Sequence, residues 1–131
     1  MVFIVLRTQV EGIHQYDEAP SEVSFLGYPH RHQFHVEVEM EVLHDNRELE
    51  FIMVKDFIDL RLQELMNPAS HTLPSLPTGS LWVAFNNHTF SCEMLARAIQ
   101  YLCKQMYGRD RKVHVKVFED GENGVHLVDR T

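Results

Sequence analysis

Two segments of period-two alternation, joined by a loop, constrain the fold of this chain more than any other feature. In residues 30–42 the even positions hold two histidines and then apolar side chains, while the odd positions are polar. Residues 2–14 repeat the pattern with mostly apolar even positions. Because successive side chains of a strand point to opposite faces, both segments predict half-buried strands whose even residues share one core. Residues 15–29 hold Pro, Gly, Ser and Asp and predict the connecting loop.

Apolar residues spaced by three and four predict two amphipathic helices in the middle of the chain. The first helix begins near Met53 and ends near Asn67-Pro68. The second has Ser91 as its N-cap and is ended by Gly108.

The rest of the chain supplies loops and two further strands. Residues 68–90 hold several Pro and Gly and are predicted to be mostly loop, with Leu81–Phe85 as the strand candidate there. Alternation over Val113–Val117 predicts a third long strand, followed by a turn at Gly121–Gly124 and a fourth strand at Val125–Val128.

The order of the long elements is therefore β-β-α-α-β-β, which indicates one α+β domain over residues 1–131. We expect a four-stranded antiparallel sheet with both helices on one face. Such a sheet cannot close a barrel alone and leaves unpaired edges, so we expect it to complete itself by oligomerising.

Composition excludes several classes of protein. The 131 residues hold 12 Lys and Arg against 19 Asp and Glu, a net charge of −7, and lack the basic footprint of a nucleic-acid-binding protein. No apolar run approaches the ~18 residues of a membrane span, and the first residues do not resemble a signal peptide, so we expect them to belong to the fold. With two cysteines a disulfide framework is not expected, and we predict a cytoplasmic location.

Three of the nine histidines are predicted to converge at one end of the first hairpin. His30 and His32 are two apart on a strand and project from the same face. His14 has the parity of the apolar face and would lie opposite His30 once the loop closes the hairpin. Three neutral imidazoles with a fourth position open are typical of a catalytic zinc site.

Two other interpretations of these histidines compete with a metal site. Each could be a core-facing histidine with an ordinary hydrogen bond, and three at one hairpin end argue against that. The spacing from His30 and His32 to Glu37 also fits the opening of a cupin motif, but the odd parity of Glu37 turns it away from the histidines. Five further histidines fall on predicted polar faces or turns and are expected to be solvated: His35, His44, His88, His114 and His126.

Five segments match, in chain order, the motifs of one enzyme family. They are a segment that ends in a histidine, a His-x-His strand, the starts of both helices and a late strand that ends in Glu-Asp: Val10–His14, His30–Val38, Met53–Phe57, Phe90–Ala96 and Val115–Asp120. Together they resemble the 6-pyruvoyltetrahydropterin synthase / 6-carboxytetrahydropterin synthase family, which has the tunnelling fold.

The resemblance implies a zinc-dependent lyase that acts on 7,8-dihydroneopterin triphosphate or a related pterin, in the synthesis of tetrahydropterins or of 7-deazapurine (queuosine) precursors. It implies a homo-oligomer, a trimer or hexamer. His14, His30 and His32 would hold the zinc ion. Glu119 would anchor the ring N–H donors of the pterin, and Glu93 is the second position assigned to substrate binding.

The proton-transfer positions of the family are altered. Its general-base cysteine corresponds to Leu26, and its Asp-His pair resembles Ser70-His71, in which His71 remains a candidate proton donor. Glu22, in the same loop as Leu26, is a candidate replacement base. Cys92 lies where a helix dipole lowers a thiol pKa, although a small packed residue is the simpler interpretation.

Two functions therefore stay open at this point. The first is the zinc-dependent lyase itself. The second is a catalytically diverged member that holds zinc and binds a pterin- or purine-like ligand or performs a different reaction on it. The metal ligands favour the first and the altered positions 26 and 70 favour the second.

Overall fold

The computed structural model describes residues 1–68 and 75–130. Four strands form one antiparallel sheet in the spatial order of the chain: β1 Val2–His14, β2 His30–Val42, β3 Val113–Glu119 and β4 Asn123–Leu127. Between β2 and β3 the described residues form three helices: α1 Phe51–Met66, α2 Gly79–Asn86 and α3 Cys92–Tyr107. The predicted α+β class and four-stranded antiparallel sheet are confirmed.

The register of the first hairpin follows the parity of the sequence. β1 pairs with β2 without interruption from Val2 opposite Val42 to His14 opposite His30. Even residues of both strands thus share a face, and odd residues such as Glu37 lie on the other. There Arg7 donates to Glu37 at 2.9 Å and, as the main cause, holds the pKa of Glu37 below its ordinary value. The predicted orientation of Glu37 away from the histidines is confirmed.

One apolar core lies between the even face of β2 and the helices. The strand side chains Phe34, Val36, Val38 and Met40 are at most 2% exposed. They share a cluster with the buried faces of α1 and α3, which pack over β1 and over β3 and β4 respectively. Full burial of one such side chain contributes about 1.5–3 kcal/mol, so this layer dominates the stability of the chain.

Side chains cap the N-terminus of each helix. Glu50 accepts from the amide of Met53 at the start of α1, and Ser91 accepts from the amide of Met94 at the start of α3. α3 ends at Gly108, whose φ of 136° lies in a region that L side chains rarely adopt. The predicted N-cap Ser91 and helix end Gly108 are confirmed.

The strand predicted at Leu81–Phe85 is wrong. Those residues lie in α2, where Thr78 caps the first turn by accepting from the amide of Leu81. Ala84 and Phe85 are buried while Trp82 and Val83 are 45% and 49% exposed. A short apolar run does not distinguish strand from helix by periodicity, and the capping threonine just before it was the missed signal.

Smaller boundary differences have local causes. α1 begins at Phe51 rather than near Met53, because its cap is Glu50. β4 starts at Asn123, inside the predicted turn, and ends at Leu127. The loop after β1 contains a short 3-10 segment, Ser21–Gly27. Within the described residues no helix combines the length and apolarity needed to cross a bilayer.

Candidate metal centre

The three predicted histidines meet at the open end of the β1–β2 hairpin. His14 and His30 are directly paired, and His32 is two residues further along β2 on the same face. The ring centroid of His14 lies 4.6 Å from that of His30 and 5.3 Å from that of His32. The ring centroids of His30 and His32 are 4.9 Å apart. Each ring offers one nitrogen, and these nitrogens all lie within 4.8 Å of one another. The predicted convergence is confirmed, and the group can hold a metal ion.

Each imidazole is oriented by an acceptor at its Nδ1 atom. Nδ1 of His14 lies 2.9 Å from the carbonyl oxygen of Phe90, and Nδ1 of His30 lies 2.8 Å from that of Tyr28. Nδ1 of His32 lies 2.6 Å from Oδ2 of Asp120. Because carbonyl and carboxylate oxygens only accept, each Nδ1 carries the hydrogen, and in the neutral ring the lone pair is then on Nε2. Oxygen acceptors on the outer nitrogen are typical of metal-binding histidines.

The inner nitrogens show that a cation fits this site. Nε2 of His14 and Nε2 of His32 are buried and have no hydrogen-bond partner. A buried polar atom without a partner costs about 1–3 kcal/mol, so native structures contain few of them. A metal ion between the rings would satisfy both atoms at once.

Burial keeps the central ring in the form that binds a metal. His14 is 7% exposed, and desolvation lowers its pKa, partly offset by the Phe90 carbonyl and by the charge of Glu119. The neutral imidazole is thereby favoured near pH 7. Asp120, in turn, accepts from the backbone amide of Gln33 and from His32, and these bonds hold its pKa below the ordinary value.

Glu119 and Cys92 lie beside the histidines. Oε1 of Glu119 is 3.4 Å from Nε2 of His14, and Oε2 is 3.4 Å from Nε2 of His32, without the geometry of hydrogen bonds. The thiol of Cys92 donates to Oε1 of Glu119 at 3.5 Å. Burial, together with Glu119, raises the pKa of Cys92 to about 12, which agrees with the simpler interpretation of a packed residue whose thiol stays protonated.

A cavity of about 560 Å³ opens beside the centre. His14, His30 and Glu119 form part of its wall, and Glu93, in the first turn of α3, lies on the same cavity. Leu26 also lines it, so the position that the resemblance gives to a general base does face the cavity, but with a side chain that cannot carry a proton. The structure therefore brings together the three predicted metal ligands and both predicted substrate carboxylates.

Of the two predicted catalytic residues, only Glu22 lies within the described residues, and it is not at this site. Glu22 is exposed in the 3-10 segment and does not line the cavity. His71, with Ser70, lies outside the described residues.

Sequence reasoning missed the groups that orient the rings. Phe90 and Tyr28 act through their carbonyl oxygens, which no sequence pattern reveals. Asp120 could have been predicted as a neighbour of the histidines, because it directly follows Glu119 at the end of a strand that is expected to reach the site. Its backbone has φ 54°, and this left-handed conformation turns its carboxylate back toward His32.

Two of the five other histidines are not simply solvated. Nδ1 of His114 accepts from the amide of Asp129, and its ring packs against Phe3. His88 is half-buried with φ 59°, and its Nδ1 atom is buried without a hydrogen-bond partner. The carbonyl of His88 accepts from the amide of Gln15, which fixes the chain just after the candidate ligand His14.

No protein-family model matches this chain, and a search of curated proteins gives no significant match. The fold and the histidine centre therefore define an α+β protein with a candidate metal site, and the family remains an expectation carried by the sequence motifs.

Proposed function

We propose that this chain is a zinc-dependent enzyme of pterin chemistry, a lyase acting on 7,8-dihydroneopterin triphosphate or a related pterin. The observation that carries the proposal is the set of three imidazoles, each held at Nδ1 and presenting Nε2 to a shared point beside a cavity. Nitrogen donors of this kind suit zinc, and three protein ligands are typical of its catalytic sites.

The cavity supports a small-molecule substrate. Its volume of about 560 Å³ lies within the range of about 300–1,000 Å³ that ligand pockets occupy. Glu119 and Glu93 supply carboxylates to its wall, and a carboxylate can accept two parallel hydrogen bonds from the N–H groups of a pterin or purine ring. Zinc, when bound, supplies a Lewis acid that polarises a substrate oxygen.

A second candidate function is supported by Leu26. This side chain lines the cavity where a proton-transferring residue would be needed for the lyase reaction. A diverged protein that holds zinc and binds a pterin- or purine-like ligand, or performs a different reaction on it, requires no base at that position. The assay below separates the two candidates.

A homo-oligomer, a trimer or hexamer, belongs to the same proposal. β1 and β4 are the edge strands of the sheet over the described residues, and β1 is 13 residues long. A long edge strand offers a row of unpaired backbone groups, and pairing with a second copy would satisfy them. Sedimentation or light scattering of the purified protein tests this directly.

Metal content is the first test of the proposed function. We expect about one zinc ion per chain in freshly purified protein, lost when His30 and His32 are both changed to Ala. The change His126→Ala, at an exposed histidine of β4, is the matched control and should retain the metal. Protein that is metal-free, and that does not take up added zinc, would refute the proposal.

Turnover is the second test. Zinc-loaded protein is incubated with 7,8-dihydroneopterin triphosphate and the release of triphosphate is followed. Release that requires His30 and His32 supports the lyase. Pterin binding without release selects the diverged protein, and the lack of both contradicts pterin chemistry altogether.

A further inference from the structure

The carboxylate of Glu119 lies at a distance that suits a metal ligand. Its two oxygens are 3.4 Å from Nε2 of His14 and 3.4 Å from Nε2 of His32. In a tetrahedral zinc site with bonds of about 2.0–2.2 Å, neighbouring ligand atoms are about 3.3–3.6 Å apart. Each oxygen of Glu119 therefore has the spacing of a coordinated atom from one histidine, Oε1 from His14 and Oε2 from His32.

No hydrogen bond accounts for this approach. The acceptors at Nδ1 leave a lone pair on Nε2 of His14 and of His32, and the carboxylate oxygens of Glu119 also carry lone pairs. Lone pairs that face each other repel unless a cation lies between them. The same cation that satisfies the ring nitrogens would satisfy the carboxylate.

Two neighbours hold the carboxylate in this position. Cys92, with its protonated thiol, donates to Oε1 of Glu119 from the first turn of α3. Glu119 ends β3, where its pairing with Phe34 places it on the histidine face of the sheet. Glu119 does not belong to the group whose ligand atoms are all within 4.8 Å, so its side chain must rotate to bring one oxygen within reach of all three histidines.

We propose that Glu119 is the fourth protein ligand of the metal in the resting protein, alongside His14, His30 and His32. This inference rests on the proposed metal centre. The resting ion would then be held by three nitrogens and one oxygen. A substrate oxygen would have to displace Glu119, and the displaced carboxylate would be free to accept a hydrogen bond from the substrate. Access to the metal is thus controlled by one side chain of β3.

The affinity for metal tests this role without any assay of activity. The dissociation constant for Zn²⁺ is measured by chelator competition for the full chain and for Glu119→Gln. We expect the affinity to fall at least about tenfold, the lower end of the loss seen when a group that only supports a metal ligand is removed. Glu122→Gln removes the same charge from an exposed neighbour and should leave the affinity unchanged.

A second measurement is made on the wild-type chain and on Glu119→Gln, and its wild-type result does not depend on the folding of a variant. Co²⁺ is substituted for zinc, and its visible absorption is followed while azide is added. We expect little change in the wild-type chain, because Glu119 occupies the fourth position, and a clear new spectrum in Glu119→Gln.

The outcomes separate this inference from the metal centre itself. If the wild-type chain binds metal with the same affinity as Glu119→Gln, and its Co²⁺ form binds azide readily, Glu119 is not a ligand. The proposed histidine metal centre is still supported in that case. If the wild-type chain takes up neither Zn²⁺ nor Co²⁺, the centre and the inference are both refuted.

Discussion

The buried face of β2 has two halves with opposite requirements. From Phe34 to Met40 the inward side chains are apolar and at most 2% exposed. At His30 and His32 the same face carries imidazoles, and Nε2 of His32 is buried without a hydrogen-bond partner. The apolar half is covered by the helices, whereas the histidine half leaves a buried ring nitrogen without a hydrogen-bond partner, which the proposed cation would satisfy. Polar side chains without partners on a strand face that is otherwise apolar indicate a functional site.

The largest expected effect concerns the apolar half. Met40 is fully buried, and Met40→Ala should lower the free energy of unfolding by about 2–5 kcal/mol because it leaves a cavity. Denaturation by urea measures this loss, and the zinc affinity of the folded variant should be unchanged. A fall in zinc affinity as large as that of a ligand variant would show that the two halves are not separate.

Zinc itself should stabilise the histidine half. A ligand that binds only the folded chain adds about 2.7 kcal/mol when its free concentration is 100 times its dissociation constant. We expect thermal or urea unfolding to show this gain in the wild-type chain and in Met40→Ala. The double change of His30 and His32 to Ala should remove it. Equal stabilisation of that variant would place the metal elsewhere.

Asp120→Asn tests how much the carboxylate that orients His32 contributes to zinc binding in the histidine half. The carboxylate accepts from Nδ1 of His32 at 2.6 Å, which fixes the ring and raises the basicity of its other nitrogen. Loss of the charge should weaken zinc binding about 10–100-fold. Chelator competition measures the change, with Glu122→Gln as the control. An unchanged affinity would mean that Asp120 does not orient this ligand.

The smallest expected effect is a pH dependence remote from the histidines. Arg111 donates to both carboxylate oxygens of Glu48, and this bond is the main reason that the pKa of Glu48 falls from 4.5 to about 2. Since the pKa is lower in the folded chain, the pair stabilises it fully above about pH 4.5, and the effect is lost as the pH falls toward 2.

Urea unfolding of Glu48→Gln and of the wild-type chain measures this contribution. The difference between the two should be present at pH 6 and shrink as the pH is lowered through this window. A difference that stays constant down to pH 2.5 would contradict the role given to the Glu48–Arg111 pair.

Much of the fold was accessible from the sequence because strand parity is a strong signal. Period-two alternation fixed which residues of β1 and β2 share a face, and the loop between them fixed His14 opposite His30. The helix α2 was missed because its apolar run is short and its cap, Thr78, was read as part of a loop. Ser91 and Gly108 were found because capping chemistry is local.

Of the groups at the candidate site, the histidines could be predicted from the sequence, but the acceptors that orient their rings were missed. The histidines lie close together in a hairpin, but Phe90 is 76 residues from His14 and Asp120 is 88 residues from His32. Those contacts depend on where α3 and β3 pack. The state of Cys92 likewise depends on its burial beside Glu119, which outweighs the helix dipole that the sequence suggested.

Anomalous diffraction at the zinc edge, from crystals of zinc-loaded protein, tests the central claim most directly. We expect a single strong peak at the end of the β1–β2 hairpin, about 2.0–2.1 Å from Nε2 of His14, His30 and His32. A peak elsewhere, or one bound through the Nδ1 atoms, would contradict the account. So would well-ordered histidines with no peak between them.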